Sequence, residues 1–157
     1  MNDNVLIRKA EVKDIEAINA LFYELDTDAI NMQPQHFKRG TRPAEYLAGL
    51  ITGENSEFLL AAVGENVIGF SLLFEKKTPD IDLLVPCKFG YIQDFVVSKD
   101  YRGMGVGSLL MEMSKKWAKD RGLAYIRLSV LPENKDAQRF YARHGLNMQM
   151  FSMEGVL

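Results

Sequence analysis

Three glycines at alternate positions, between an apolar run and a long amphipathic stretch, constrain the fold of this chain more than any other feature. They lie in the segment Arg102-Gly103-Met104-Gly105-Val106-Gly107. Because glycine has no Cβ, it permits a sharp turn and the close approach of a ligand to the backbone. The apolar residues that follow lie at i, i+3, i+4, i+7 and i+11, one stripe of a helix: Val106, Leu109, Leu110, Met113 and Trp117. The pattern predicts a strand, a tight turn and a helix N-terminus in succession.

A glycine turn at a helix N-terminus is suited to an anion. The first N–H groups of a helix have no intrahelical partner, and the macrodipole adds positive potential there. Arg102 adds a forked cation that matches phosphate oxygens. The segment therefore predicts a pyrophosphate cradle, and a turn without a ligand is the alternative for the glycines alone.

Two known phosphate motifs are absent from this turn. A P-loop requires lysine after its last glycine, whereas Ser108 follows Gly107 directly. The dinucleotide fingerprint is Gly-x-Gly-x-x-Gly after an early strand, whereas this turn reads Gly-x-Gly-x-Gly and lies late in the chain. A nucleotide-binding protein is therefore disfavoured.

The rest of the chain alternates between strand-like and helix-like patterns. Strands are predicted at residues 5–8, 58–63, 67–74, 89–97, 125–130 and 146–153, the last with Met148, Met150 and Met153 on its inner face. Helices are predicted from Asp14, from Pro43 to just before Gly53, from Gly105 to Gly122, and over residues 135–144 behind the cap residue Asn134. Polar, irregular segments are predicted at residues 26–42 and 75–86. The order predicts an α/β domain with a mixed sheet.

Composition limits the class of protein. A chain of 157 residues with 47% hydrophobic and 25% charged residues predicts one domain over residues 1–157. A net charge of -2 gives no electrostatic reason to expect nucleic acid or an anionic membrane as a partner. Neither a secretory signal nor an apolar span is recognisable. With Cys87 as the one cysteine and two histidines, we expect a cytoplasmic protein without a metal centre or internal disulfide.

Three segments share a recognisable pattern: the Arg-x-x-Gly-x-Gly turn, the preceding run Tyr91-Ile92-Gln93-Asp94-Phe95-Val96-Val97, and the pattern Asn134…Ala137-x-x-Phe140-Tyr141-x-x-x-Gly145-Leu146. Together they resemble the GNAT superfamily of acetyl-CoA-dependent N-acetyltransferases. Leu146 stands where phenylalanine is usual in the family. The resemblance implies a mixed, largely antiparallel sheet flanked by helices and splayed between its two central strands.

The resemblance also implies which residues bind acetyl-CoA. The backbone of Phe95, Val96 and Val97 would hydrogen-bond the pantetheine arm as an added strand. N–H groups would bind the pyrophosphate from Gly103, Met104, Gly105, Val106, Gly107 and Ser108, with Arg102 at the entrance. Asn134 would contact the amide arm of the cofactor, and a helix cap is the alternative for this residue.

Tyr141 matches the family tyrosine that protonates the departing thiolate. A phenol with a pKa near ~10 is protonated at neutral pH and able to donate, whereas a core aromatic residue is the alternative. No general base is assigned. Gln93 stands where some relatives carry glutamate, and strand alternation predicts that Asp94 faces the other way. The reaction then needs a water relay, or an acceptor amine of low pKa.

The implied activity is transfer of an acetyl group from acetyl-CoA to a primary amine by direct attack in a ternary complex, in an enzyme expected to form a homodimer. The alternative is a non-catalytic acyl-CoA-binding or sensing module of the same fold. The acceptor is not readable, because variable segments at residues 26–42 and 75–88 would select it.

Among weaker candidates, His36 faces substrate or solvent, Cys87 is an incidental thiol, and His144 ends a helix. The acidic group Glu24, Asp26 and Asp28 is a solvated helix end or attracts a cationic amine.

Overall fold

The computed structural model of the protein describes residues 4–157, and this part of the chain forms five strands and four helices. The strands are β1 (Val5–Lys9), β2 (Ser56–Val63), β3 (Asn66–Lys77), β4 (Lys88–Val97) and β5 (Ile126–Leu128). The helices are α1 (Ile15–Met32), α2 (Ala44–Thr52), α3 (Val106–Asp120) and α4 (Lys135–Arg143). Short 3-10 turns lie at Val12–Asp14 and Lys99–Tyr101. Across residues 4–157, no helix has the length and apolarity needed to cross a bilayer.

Several of these elements begin and end at the residues that the sequence predicts as their boundaries. Pro43 precedes α2 with φ of -58°, and Gly53 follows its last residue. The β2–β3 hairpin turns at Gly64, whose φ of 58° lies in the left-handed region that glycine adopts at low cost. Asn134 caps α4, because its Oδ1 accepts a hydrogen bond from the backbone N–H of Ala137 at 3.2 Å.

The sheet has the strand order β1-β2-β3-β4-β5. Strands β1 to β4 pair with one another in antiparallel fashion, whereas β5 lies parallel to β4. The β4–β5 pairing has only three residue pairs and ends at Ile92 opposite Leu128. β4 continues beyond it, and its residues 94–97 are paired with β3 alone. The sheet is therefore mixed and splayed between β4 and β5, as the family resemblance implies.

A β-bulge at Gln93 interrupts β4. Leu72 of β3 lies opposite Asp94 and Leu73 lies opposite Ile92, so that Gln93 is the extra residue. The bulge changes which face each side chain takes. Ile92 packs in the core on one side of the sheet. Asp94 lies on the opposite side, the side of its partner Leu72, which belongs to the other core. Simple alternation, on which the predicted direction of Asp94 depended, does not hold across this point.

Each face of the sheet has its own apolar core. On one face α3 packs with Val106, Leu110 and Trp117, and Phe140 and Tyr141 of α4 lie against the same cluster. On the other face α1 and α2 pack around a group of aromatic rings, in which Phe22 and Phe70 have centroids 4.8 Å apart. Apolar burial on both faces is the main stabilising contribution for such a layered domain.

Helix α1 is longer than the sequence predicts. It ends at Met32, so the predicted irregular segment 26–42 is wrong for residues 26–32. Asp26 and Asp28 have low helix propensity, but each binds an arginine outside the helix, and tertiary contacts of this kind override propensity. Pro34 follows two residues after the helix ends, where it cannot continue the turn.

The predicted strand at residues 146–153 does not form. Residues 146–157 have no regular structure, and Met148, Met150 and Met153, which were expected on an inner face, are exposed. A strand requires an edge to pair with, and the sheet of the described chain ends at β5 without adding this segment. The predicted strand at residues 125–130 is also shorter and is limited to Ile126–Leu128.

Candidate functional site

The glycine turn forms an open N-terminus for α3. Gly103 and Gly105 have φ of 76° and 83°, and a Cβ at either position would meet no atom within 4 Å. The backbone conformation, rather than crowding, therefore requires glycine there. The first bond of the helix runs from the N–H of Leu109 to the carbonyl of Gly105 at 3.2 Å. The amides of residues 106–108 precede it and are available to an anion.

Gly107 has a different role from the other two glycines. A Cβ at Gly107 would lie 3.3 Å from two ring atoms of Phe140, so glycine lets α3 and α4 approach closely. Ser108, one residue on, has its Oγ 3.1 Å from Nε2 of His144, which ends α4. The same contact area thus joins the cradle to the helix that carries Tyr141.

The edge of β4 lies beside this cradle. Phe95, Val96 and Val97 pair with Ser71, Phe70 and Gly69 of β3 on one side. On their other side β5 has already ended, because its last pair is at Ile92. An extended ligand arm can therefore add to this edge by main-chain hydrogen bonds, in the manner of a further strand.

Arg102 is held in place by its own chain. Its Nε donates to the carbonyl of Val97 at 2.9 Å, and its Nη2 lies 3.1 Å from Oδ2 of Asp28. Glu24 also accepts hydrogen bonds from Ser98 Oγ and Lys99 N, at 3.2 and 3.1 Å. The carboxylates of α1 therefore fasten that helix to the loop, and a phosphate would compete with Asp28 for Arg102.

Tyr141 lies in an aromatic cluster at the open side of the sheet. Its ring centroid is 6.1 Å from that of Phe95 on β4 and 5.5 Å from that of Phe140. Burial raises the pKa of Tyr141 to about 12. The phenol is therefore fully protonated at neutral pH, which suits a proton donor and not a base. The packing that was predicted as an alternative to catalysis is present, and it is compatible with a catalytic role.

Asn134 makes the contact expected of a helix cap. Its side-chain oxygen is bound to Ala137 N. The amide nitrogen is not used in this cap, so the cap and a contact with a ligand do not compete for the same atom.

Asp94 is a candidate that sequence reasoning set aside. Burial raises the pKa of Asp94 to about 6, the charge of Arg42 opposes this, and Asp26 adds to it. Asp26 binds Arg42 through both carboxylate oxygens, at 2.6 and 2.9 Å, so Arg42 is already neutralised. The backbone of Asp94 pairs with Leu72, whereas its carboxylate is influenced only by burial and by the charges of Arg42 and Asp26, with no hydrogen bond to a side chain among residues 4–157. Only the bulge at Gln93 places it on this face, and a bulge leaves no signal in the sequence.

The remaining candidates do not lie together. His36 Nε2 is 2.7 Å from Glu154 Oε1, and the sulfur of Cys87 is 3.8 Å from the hydroxyl of Tyr125. Glu24, Asp26 and Asp28 each bind a different partner, so they form neither a solvated helix end nor one acidic site. In the part of the chain that the structure describes, no three metal-ligating side chains converge.

Fold and site together define an acyl-CoA-dependent acyltransferase, and comparison with known proteins identifies the family. The family model for the acetyltransferase (GNAT) family matches residues 19–146. The chain belongs to this family, whose members use acetyl-CoA as cosubstrate. An aminoalkylphosphonate N-acetyltransferase of Salmonella typhimurium is 28% identical over 151 residues, which cover 96% of this chain and 90% of that protein.

Solved structures agree with this assignment. A mutant of the BH1408 protein from Bacillus halodurans has a TM-score of 0.92 at 26% identity, covering 97% of this chain and 99% of that chain. An aminoglycoside acetyltransferase from an uncultured soil metagenomic sample, in complex with sisomicin, has a TM-score of 0.76 at 13% identity. It covers 99% of this chain and 98% of its own, and it shows the shared fold.

We expect Asp94→Asn to stabilise the protein at neutral pH. The pKa of Asp94 is about 6 in the folded chain, whereas its ordinary value is 3.8. Between these two pH values the folded chain therefore binds more protons than the unfolded chain does. Stability therefore falls as pH rises through this window, by up to ~3 kcal/mol. Urea unfolding should show the variant more stable than the wild type at pH 7.5, and the difference should disappear near pH 3.5. The exposed Asp82→Asn is the control, and an equal gain at both pH values would contradict the expectation.

Proposed function

We propose that this protein is an N-acetyltransferase that moves an acetyl group from acetyl-CoA to a primary amine by direct attack. The observation that carries the proposal is the one-sided edge of β4 between the glycine cradle and Tyr141. An edge, an anion site and a phenol in one opening suit the three parts of acetyl-CoA: the pantetheine arm, the pyrophosphate and the thioester.

The acetyl-CoA site would be built mainly from backbone. Phe95, Val96 and Val97 would pair with the pantetheine arm, and the amides of residues 103–108 would bind the pyrophosphate. Arg102 would join them after exchanging Asp28 for a phosphate oxygen, and Asn134 would reach the amide arm through its free nitrogen. The open space beside Gly103 and Gly105, where a Cβ would meet no atom within 4 Å, supports this placement.

The proposed reaction needs one proton acceptor and one proton donor. The amine nitrogen attacks the acetyl carbon, the C–N bond forms, and the C–S bond breaks to release coenzyme A as a thiolate. Tyr141 would donate its proton to that thiolate, and the second proton of the attacking nitrogen would pass to the Tyr141 oxygen, directly or through water, as the neutral amide forms. We infer that Asp94 takes the proton of the acceptor ammonium, directly or through water, because a carboxylate with a pKa of about 6 is ionised at neutral pH and unpaired.

The acceptor would be a cationic amine held near Asp94. The names of the compared enzymes, which act on an aminoalkylphosphonate and an aminoglycoside, are consistent with a primary amine. Residues 33–43 return from α1 to α2 and border the same face, where Arg42 lies over the ring of Phe22 with its guanidinium carbon 3.9 Å from the ring centroid. We propose that this segment selects among amines.

A non-catalytic acyl-CoA sensor of the same fold is the second candidate. It is favoured by Gln93, because some relatives carry a glutamate at this position and the neutral amide of glutamine cannot accept a proton. An unpaired Asp94 one residue away favours the enzyme. We further propose that residues 1–157 act as one domain in the cytoplasm, where acetyl-CoA is available, and that the reaction needs no metal.

We expect acetyl-CoA to release free thiol when it is incubated with the protein and a suitable primary amine. A panel of polyamines, amino acids, aminoglycosides, aminoalkylphosphonates and peptide N-termini would be screened by thiol release. Binding of acetyl-CoA would be measured in parallel by calorimetry. Tight binding without turnover on any amine would reject the enzyme in favour of the sensor, and absence of binding would reject both.

We expect Tyr141→Phe to lower kcat by roughly 100-fold or more, because general acid catalysis contributes about 10²–10⁴. Phenylalanine retains the ring contacts with Phe95 and Phe140, so the Kd for acetyl-CoA should change less than about twofold. Steady-state kinetics and calorimetry measure the two quantities. Tyr46→Phe, at an exposed tyrosine on α2, is the matched control, and an unchanged kcat in Tyr141→Phe would remove this residue from the mechanism.

We expect kcat/KM to rise with pH through a limb near pH 6, as Asp94 loses its proton. In Asp94→Asn this limb should be absent and kcat/KM lower by roughly 100-fold at pH 7.5. The measurement is a pH–rate profile with the best acceptor of the panel, and Asp82→Asn should retain the wild-type profile. A limb that persists in Asp94→Asn would assign it to another group.

A further inference from the structure

His144 lies at the centre of a group of polar side chains that joins the end of α4 to the first two turns of α3. Its Nε2 lies 3.1 Å from Oγ of Ser108, and its Nδ1 lies 3.4 Å from Oε1 of Glu112. Ser108 and Glu112 are four residues apart and therefore lie on the same face of α3. The imidazole thus bridges two residues of one helix, and each of its nitrogens has a partner.

Other neighbours hold His144 in this position. Its ring packs on that of Phe140, with the centroids 4.6 Å apart, and only 15% of its side chain is exposed. Lys115 Nζ donates to the backbone carbonyl of His144 at 2.6 Å and also pairs with Glu112 at 3.4 Å. Within the part of the chain that the structure describes, the charged groups that contact His144 are therefore Glu112 and Lys115, both from α3.

The charge of Glu112 decides which nitrogen of His144 carries the proton. The charge of Lys115, together with the hydrogen bond to His144, holds the pKa of Glu112 below its ordinary value, so this side chain is ionised at neutral pH. An ionised carboxylate can only accept hydrogen bonds. A neutral His144 therefore carries its proton on Nδ1, towards Glu112, and its Nε2 accepts the hydroxyl proton of Ser108.

A pyrophosphate in the cradle would change this arrangement. Side chains lean towards the N-terminus of their helix, so the hydroxyl of Ser108 lies on the side of the open amides of residues 106–108. Ionised phosphate oxygens are strong acceptors, so Ser108 would turn its proton to them. Nε2 of a neutral His144 would then face the lone pairs of Ser108 Oγ with no proton between them. A proton on Nε2 restores this hydrogen bond and adds a positive charge behind the pyrophosphate.

We propose that His144 is a positioning residue for acetyl-CoA and takes up one proton from solvent when the pyrophosphate binds beside Ser108. Histidine is suited to this role because it exchanges a proton close to neutral pH. Ser108 keeps its own proton, Glu112 keeps its charge, and the N–H bond at Nε2 is the one covalent bond that forms. Because binding takes up a proton, acetyl-CoA binds more tightly as pH falls. The proposal rests on the acetyl-CoA site proposed above.

Calorimetry in buffers of different ionisation enthalpy measures the proton uptake. At pH 7 we expect the wild type to take up more protons on binding acetyl-CoA than His144→Gln, because the glutamine amide donates to Ser108 without titrating. Between pH 6 and pH 8 the Kd of the wild type should rise at least about threefold relative to that of His144→Gln. A role of His144 in packing alone would weaken binding equally at both pH values.

The matched control is His36→Gln, because His36 is the one other histidine of the sequence and is bound to Glu154 instead. This variant should retain the uptake and the pH dependence of the wild type. An uptake that is equal in the wild type and in His144→Gln would overturn the proposal and leave the acetyl-CoA site standing. Absence of acetyl-CoA binding to the wild type would overturn both.

Nitrogen NMR of the imidazole rings reads the proton positions in the wild type itself, so it does not depend on the folding of a variant at position 144. With two histidines in the sequence, His36→Gln assigns both sets of signals. At pH 7 the ring of His144 should carry its proton mainly on Nδ1 in the free protein, and protons on both nitrogens in the complex with acetyl-CoA. A His144 that stays neutral in the complex would also overturn the proposal.

Discussion

Residues 94–97 of β4 have a partner strand on one side only, and the rest of the site depends on this one-sided pairing. β5 is parallel to β4 for three residue pairs and then ends, so main-chain groups that a longer strand would satisfy stay available. The glycine turn begins a few residues beyond that edge, and the aromatic cluster of α4 packs at its opening. In the proposed complex an extended thioester ligand would meet the cradle, the backbone edge and the phenol in that order.

The bulge at Gln93 makes the two faces of β4 chemically different around that opening. Without it, Ile92 and Asp94 would share a face, and the carboxylate would lie among apolar side chains of the α3 core. With it, Asp94 lies on the α1–α2 face near the Asp26–Arg42 pair. The phenol and the carboxylate therefore reach the same strand from opposite faces, and their pKa values, about 12 and about 6, are raised by burial.

Contacts of α1 connect these features to the loop. Glu24 and Asp28 accept hydrogen bonds from Ser98, Lys99 and Arg102. A phosphate that binds Arg102 must therefore displace the carboxylate of Asp28 on α1. The same helix borders the proposed acceptor side through Asp26, which binds Arg42. The glycine turn, the hairpin and the helix caps could be predicted because they depend on the backbone freedom of a few neighbouring residues. The partners of these three carboxylates could not, because they lie 16 to 75 residues away along the chain.

The sequence by itself determined the family, the position of the glycine turn and the order of strands and helices up to α4, and it predicted Tyr141 as proton donor, since each depends on local spacing of residue types. The tertiary structure decided the features on which the local pattern has no influence. It extended α1 to Met32, placed Asp94 through a bulge, and left residues 146–153 without the strand that their alternation predicts. The physical reason is the same in each case: a pattern can favour a helix or a strand, but the partner that satisfies it comes from distant residues.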